Sequence, residues 1–262
     1  MAKKKIPMAL VNIVVVGCGG TGGKVITELG RFLASFSASN VKCRLSLIDG
    51  DRVEAKNISR QPFSEMDIGV EKCLALQETL RECFSLETNA YPVYLDTAEQ
   101  LDEIIRTNES ALLKGYDYYT YDVKKVTVIV GAVDNHRARQ VLEEVYQNSP
   151  NCYYIDSANE FDVGEVAYGL RLLGNELSYS RAFYYPEVLT DKGKRASELS
   201  CAAVNVSSPQ HIVTNMMAAN IVLSALIQFI QSGKPRTGIT YFNALSGTSV
   251  HREASVSLEV EG

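Results

Sequence analysis

The stretch "VVVGCGGTGGKV", Val14 to Val25, joins two segments of opposite periodicity, and that junction constrains the fold more than any other feature of the chain. Before it, "ALVNIVVVG" (Ala9 to Gly17) is a dense β-branched run closed by glycine, the pattern of a parallel strand buried on both faces. After it, Val25, Ile26, Leu29, Phe32, Leu33 and Phe36 recur at helical spacing. A strand that runs through a glycine loop straight into a helix opens a βαβ unit. Gly17, Gly19 and Gly22 fit GxGxxG, and Gly20 and Gly23 strip the loop further. Glycines there admit positive φ and let the backbone approach a phosphate, while the helix N-terminus offers unpaired N–H groups to the same anion.

Two other readings compete. One is a glycine-rich turn with no ligand. The other is a lipoprotein leader, with Lys3 to Lys5 as its basic region, Ile6 to Val16 as its apolar region and Cys18 as the acylated residue. Pro7 and Asn12 interrupt that apolar run, and an amphipathic helix begins where a polar tether is needed. The nucleotide loop is the reading the context favours.

The alternation continues downstream. "CRLSLIDGD" (Cys43 to Asp51) reads as a second strand ending in two acids, and "GVEKCLALQETLRECF" (Gly69 to Phe84) as a helix. "NAYPVYLD" is a short strand, "AEQLDEIIRT" a helix, and the tyrosine-rich "KGYDYYTYDVKK" (Lys114 to Lys125) an exposed insertion. "VTVIVGAVDN" (Val126 to Asn135) is another buried strand, followed by the helix "HRARQVLEEVYQ" and the strand-like "NCYYIDSANE". This order predicts a Rossmann-like α/β fold, a doubly wound, mostly parallel sheet over about 9–160. From 161 to 262 the pattern changes. "GEVAYGLRLLG" alternates as an antiparallel strand, Ser178 to Ser208 has little periodicity, "NMMAANIVLSALIQFIQ" is an apolar helix, and "GITYFNAL" with "SVHREASVSLEV" forms a hairpin. With no repeat and no linker, residues 1–262 are expected to form one domain with an antiparallel C-terminal extension.

Composition excludes several functions. The net charge of −5 leaves no general basic surface for nucleic acid. Six cysteines (Cys18, Cys43, Cys73, Cys83, Cys152 and Cys201) stand singly without a CxxC pair, so neither a zinc ribbon nor a dithiol redox motif is expected. Reduced thiols of this kind fit a cytoplasmic protein. His136, His211 and His251 are scattered without an HExxH and read as structural or surface residues. The longest apolar helical run, Ile221 to Ile230, falls short of the roughly 18 residues of a membrane span.

After the second strand comes "DGDRVEAKNISRQ", Asp49 to Gln61. In a dinucleotide-binding fold one acid here takes the ribose hydroxyls. Here Asp49 and Asp51 lead a polar run with Asn57, Arg60 and Gln61, and Lys72 and Asp134 follow in the same order along the chain. Taken together, "GCGGTGG", "DGDRVEAKNISRQ", "GVEK" and "GAVDNHRAR" resemble the motifs of the ThiF/MoeB/E1-like adenylyltransferases, in order and approximate spacing from about Val11 to Arg139. The resemblance implies ATP-dependent activation of the C-terminal glycine carboxylate of a ubiquitin-like or sulfur-carrier protein. It implies that Asp49 holds the ATP ribose and that Arg60 and Lys72 sit on the phosphates. Asn57 and Gln61 would fix their orientation, and Asp134 would bind Mg²⁺. Such a step needs positioning and charge neutralisation more than a covalent nucleophile.

The same resemblance places an acyl-accepting or persulfide-forming cysteine in the polar stretch before the long helix, where Cys201 stands in "ASELSCAAVNVSSPQ". It also implies a homodimer; Lys3 to Lys5 could lend a basic residue to the neighbouring site, although these lysines read first as a solvated tail. The family's paired CxxC zinc ligands are missing here, so no zinc site is expected. Three rivals remain open: an E1-like cyclase that adenylates a tRNA nucleoside, an NAD-dependent oxidoreductase, and an inactive E1-like scaffold subunit. In the oxidoreductase Arg60 and Lys72 would be surplus, and a scaffold need not keep the whole polar set.

Overall fold

Alternation along three central strands divides the core in two. In β1 (Ile6–Val16) Val11, Ile13 and Val15 join one apolar cluster, and Val14 and Val16 join the other. β4 (Tyr121–Gly131) sends Val128 and Val130 to the first and Ile129 to the second, and β5 (Cys152–Asn159) divides Tyr153 and Ile155 from Cys152 and Tyr154. Side chains with a period of two need cover on both faces when every position is apolar. In this computed structural model, which describes residues 5–114, 116, 120–193, 211–254 and 256, helices supply that cover.

The first cluster takes Val25, Ile26 and Leu29 of α1 (Gly20–Ser35), Cys73, Leu76 and Leu80 of α2 (Lys72–Phe84), and Ala218, Val222 and Leu226 of the long helix that precedes the last hairpin. The second takes Leu101 and Ile105 of α3 (Ala98–Leu113) with Leu142 and Val145 of α4 (His136–Asn148). Each fully buried side chain of this size is worth about 1.5–3 kcal/mol against exposure. The layers are therefore held by many equivalent contacts. One polar residue interrupts β1: buried Asn12 donates from Nδ2 to the Ile105 carbonyl at 3.2 Å and so ties α3 to the sheet.

With β2 (Val41–Ile48) and β3 (Asn89–Tyr91), the five parallel strands lie in the order β3-β2-β1-β4-β5. The chain leaves β1 towards β2 and later returns on the other side of β1 as β4. The carboxyl ends of β1 and β4 are thus a topological switch point, where such sheets hold ligands. The antiparallel part continues the same sheet. β6 (Val163–Leu172) pairs with β5, β7 (Asn175–Ser178) with β6, β8 (Gly238–Asn243) with β6, and β9 (Thr248–Arg252) with β8. Two short helices, α5 (Arg181–Tyr184) and α6 (Glu187–Thr190), follow β7, and α7 (Ile212–Ser232) precedes β8.

Two segments differ from the sequence expectation. Tyr121 to Lys125 belong to β4 rather than to an exposed insertion, because β1 starts at Ile6 and supplies a parallel partner from Ile6↔Tyr121 to Leu10↔Lys125. α7 runs to 21 residues, long and apolar enough by composition to cross a membrane, yet its Ala218, Val222 and Leu226 pack in the first apolar cluster.

Candidate nucleotide-binding site

β1 ends at Val16, and the chain must turn at once to start α1. Gly17 makes the turn with φ +94°, and a Cβ there would lie 2.4 Å from the Ala132 carbonyl oxygen beyond β4. At Gly22 a Cβ would lie 1.8 Å from the Gly17 carbonyl oxygen. Side chains at these two positions would force the loop off the switch point. The backbone groups left over are donors. Cys18 N–H reaches Asp49 Oδ2 at 2.6 Å, and the first helical bond runs from Gly23 N–H to the Gly19 carbonyl. The N–H groups of Gly19, Gly20, Thr21 and Gly22 find no acceptor among the described residues, and Gly19 caps the helix without a side chain. That is an anion cradle at a helix N-terminus.

The acids beyond β2 divide the work. Asp49 is half-buried, and its two oxygens accept the N–H groups of Cys18 and of Asp51 (2.7 Å), so it fastens the glycine loop to the end of β2. Burial and the neighbouring Asp51 raise its carboxyl above the ordinary value, against the pull of Lys72 and the two backbone donors. Asp51 is the open acid, with 48% of its side chain exposed. Its Oδ2 lies 2.8 Å from Lys72 Nζ, which is only 8% exposed. Its Oδ1 accepts the Tyr94 hydroxyl at 2.7 Å. Partial burial pushes Asp51 up, but the Lys72 ammonium and these hydrogen bonds outweigh it and hold the carboxyl below its usual range. For Lys72 burial works downward, and Asp49 and Asp51 more than reverse it, so the ammonium stays charged.

Asn57 builds the next turn. Its Oδ1 accepts Glu54 N–H at 2.9 Å, and its carbonyl accepts the N–H groups of Arg60 and Gln61 at 3.1 and 2.8 Å. Arg60 is presented half-buried, with no hydrogen bond or ion pair from its guanidinium among the described residues. Gln61 leans over the loop, its Nε2 being 3.8 Å from where a Gly19 Cβ would stand, and its buried Oε1 lacks a partner among the described residues. Asp134 lies exposed just beyond Ala132 and Val133, and among the described residues its side chain accepts a hydrogen bond from the Asn135 amide alone, at 3.4 Å. Cys201 lies outside the described residues, as do Lys3 and Lys4, while Lys5 is exposed.

Sequence reasoning missed the groups that support this edge. Arg139 Nη2 donates to the Val133 carbonyl at 2.6 Å and to the Ser157 carbonyl at 3.2 Å, which fixes the backbone beside Asp134. Asp156 Oδ2 in turn pairs with Arg139 Nε at 3.3 Å and with Arg181 Nε, and Arg181 Nη1 reaches Glu165 Oε1 at 2.7 Å. A polar cluster of Thr21, Asn159 and Asn215 joins α1, β5 and α7. Arg139 is visible in "DNHRAR" as a helical residue, but nothing in "SYSRAF" or in the apolar "TNMMAAN" marks Arg181 or Asn215. Cys18, inside the glycine loop, is no nucleophile, since burial and the adjacent Asp49 push its thiol well above the ordinary value.

A doubly wound sheet with acceptor-free N–H groups at its switch point and two acids after β2 puts the protein in the Rossmann-like class of α/β folds. The chain belongs to the ThiF family, whose sequence pattern matches residues 5–258. Its fold is similar to that of E. coli MccB solved with ATP (TM-score 0.62, 16% identity, 95% of this chain and 65% of that one). It is also similar to the microcin C7 biosynthetic enzyme MccB in complex with N-formylated MccA (0.62, 17%, 95% and 66%) and to PaaA (0.61, 17%, 94% and 64%). The chain thus spans just under two thirds of the length of those proteins. No match was found among curated protein sequences.

Proposed function

We propose that this chain is an adenylyltransferase that uses ATP to activate the C-terminal carboxylate of a peptide or of a small ubiquitin-like or sulfur-carrier protein. The observation that carries this reading is the row of N–H donors from Gly19 to Gly22 that find no acceptor among the described residues, together with a buried Lys72 whose salt bridge among those residues is to a half-exposed acid. Membership of the ThiF family and a fold shared with a protein solved with ATP support it.

In this reading Asp49, with Asp51 beside it, takes the ribose hydroxyls, and the cradle and Arg60 take the phosphates. Lys72 lies within reach of Asp51 and exchanges that partner for a phosphate oxygen. An oxygen of the partner's carboxylate then attacks the α-phosphorus, the bond to the bridging oxygen of the β-phosphate breaks, and pyrophosphate leaves. The chain's share is to hold three anionic groups together and to offset charge as it shifts to the leaving group. Among the described residues no three His, Cys, Asp or Glu side chains form a metal cage. Asp134, exposed and nearly free of partners, fits instead the single carboxylate that Mg²⁺ needs when it arrives with a triphosphate and keeps its waters. Mg²⁺ bound there would neutralise the triphosphate.

A second step is assigned to Cys201, whose thiolate would attack the activated carbonyl, release AMP and leave a thioester. The test of the first step is ATP–pyrophosphate exchange with small proteins encoded beside this chain, or with peptides matching their C-termini. Exchange that depends on a free terminal carboxylate supports the reading. Binding of NAD without ATP, or stimulation by tRNA alone, would replace it. Wild type and Cys201→Ala, run with partner and ATP on non-reducing gels, test the thioester.

A further inference from the structure

The space above the first residue of α1 is filled from the far end of the chain. A Cβ at Gly20 would stand 2.2 Å from Asn215 Nδ2, so glycine there makes room for an amide carried by α7. Asn215 is fully buried (0% exposed). Its Oδ1 accepts Asn159 Nδ2 at 2.7 Å and the Thr21 hydroxyl at 3.3 Å, whereas its Nδ2 is buried without an acceptor among the described residues. With its oxygen held by Asn159 Nδ2 and the Thr21 hydroxyl, the amide presents its remaining donor to the Gly20 side.

This orphan stands among others of the same kind. The N–H groups of Gly19 to Gly22 lack acceptors among the described residues, and no acid occupies the first turn of α1. Buried donors left unpaired are costly, and one anion at this helix end would satisfy several of them together. The Asn215 amide is also held in place from two sides, by Asn159 at the end of β5 and by Thr21 on α1. A preorganised donor of this sort need not be ordered when the ligand arrives.

We infer that Asn215 is a phosphate-binding residue: its amide NH2 and the first amides of α1 donate together to a phosphate group of the bound nucleotide. The inference rests on the nucleotide reading of the loop and adds to it a ligand supplied by α7. Nucleotide binding thereby couples α1 to α7, the helix that begins eleven residues after Cys201 in the sequence.

Calorimetric titration with AMP, ATP and adenosine tests this on the full chain. Asn215→Ala is expected to weaken AMP and ATP by about 10- to 100-fold, the scale of one hydrogen bond to a charged group, and to leave adenosine unchanged. Asn215→Asp keeps the shape and the contact to Asn159 but replaces the donor with an acceptor, so it should weaken AMP further than alanine does. Equal AMP affinity in wild type and both variants would overturn the inference and leave the nucleotide site standing. So would a parallel loss of adenosine and AMP, which marks a packing role. Wild-type protein that binds neither ATP nor AMP would overturn the nucleotide reading itself, and this inference with it. If Asn215→Ala fails to fold by circular dichroism, the comparison of Asn215→Asp with wild type decides.

Discussion

Charge is handled in opposite ways at two places on the same sheet edge. Beyond β1, β2 and β4 it is left open: Asp134 is exposed, Asp51 is half-exposed, and among the described residues Arg60 has no ion pair and the first amides of α1 no acceptor. Beyond β5 it is closed. Asp156, Arg139 and Arg181 are each less than a tenth exposed, and with the partly buried Glu165 they pair among themselves, two guanidinia against two carboxylates. An ion that already has its counter-ion inside the fold does not need a ligand, whereas an ion or dipole left without one is available to a ligand. The contrast assigns stability to the closed set and binding to the open set, and that division can be broken by substitution.

The largest effect is expected in the closed set. Arg181→Met leaves Asp156 and Glu165 buried with half their positive charge gone, which should cost about 3–5 kcal/mol in denaturant unfolding. Burial alone would lower the Arg181 guanidinium, but Asp156 and Glu165 raise it, so it is charged at every accessible pH. The open set should respond the other way. Arg60→Ala should slow partner-dependent ATP–pyrophosphate exchange by about 10²-fold or more. Its unfolding midpoint should move by no more than about 0.5 kcal/mol, as for a surface substitution. If Arg60→Ala unfolds the chain, or if Arg181→Met leaves its stability unchanged, the division is wrong.

Lys72 stands on the boundary, buried itself but paired to an open acid. Lys72→Met should weaken ATP binding and also lower stability, by less than Arg181→Met because solvent reaches Asp51. The sign with pH follows from Asp51. Its folded carboxyl titrates below the unfolded value of 3.8, so the pair's contribution is present above that pH and fades as pH falls through the lower folded value. The stability gap between wild type and Lys72→Met should therefore be constant at neutral pH and narrow in acid. A gap that widens in acid would mean that Asp51 is not the partner that matters.

How much of this was legible in the sequence follows from the same division. The parallel strands were readable because Val11 to Val16 and Val128 to Val130 are buried on both faces and so apolar at nearly every position. The open set was readable because unpaired polar residues cluster in short motifs around the glycine loop. The closed set was not. Asp156, Glu165 and Arg181 come from two strands and a short helix, and only the antiparallel pairing of β5 with β6 brings the first two side by side. β4 was read short for a related reason: "YDVKK" looks like loop until β1 offers it five residues of parallel ladder.

The smallest effect concerns an acid that the closed region leaves without a cation. Glu143 lies on α4, one turn beyond Arg139, at 5% exposure. Its Oε1 accepts the Ser180 hydroxyl at 2.6 Å and Gln147 Nε2 at 2.8 Å, and among the described residues no cation pairs with it. Burial raises its carboxyl, and the nearby charges of Asp156 and Glu176 add to that rise against the two hydrogen bonds. A folded value above the unfolded 4.5 means that this group favours the native state most when protonated, and that the benefit is lost as pH rises through the folded value. Glu143→Gln keeps an oxygen for Ser180 and Gln147 and does not titrate. It should match wild type below pH 4.5 and exceed it at pH 8 by about 1 kcal/mol, read as the difference between two urea curves. A variant that is less stable than wild type at pH 8 would show that a cation does reach Glu143, and that the boundary between open and closed charge runs elsewhere.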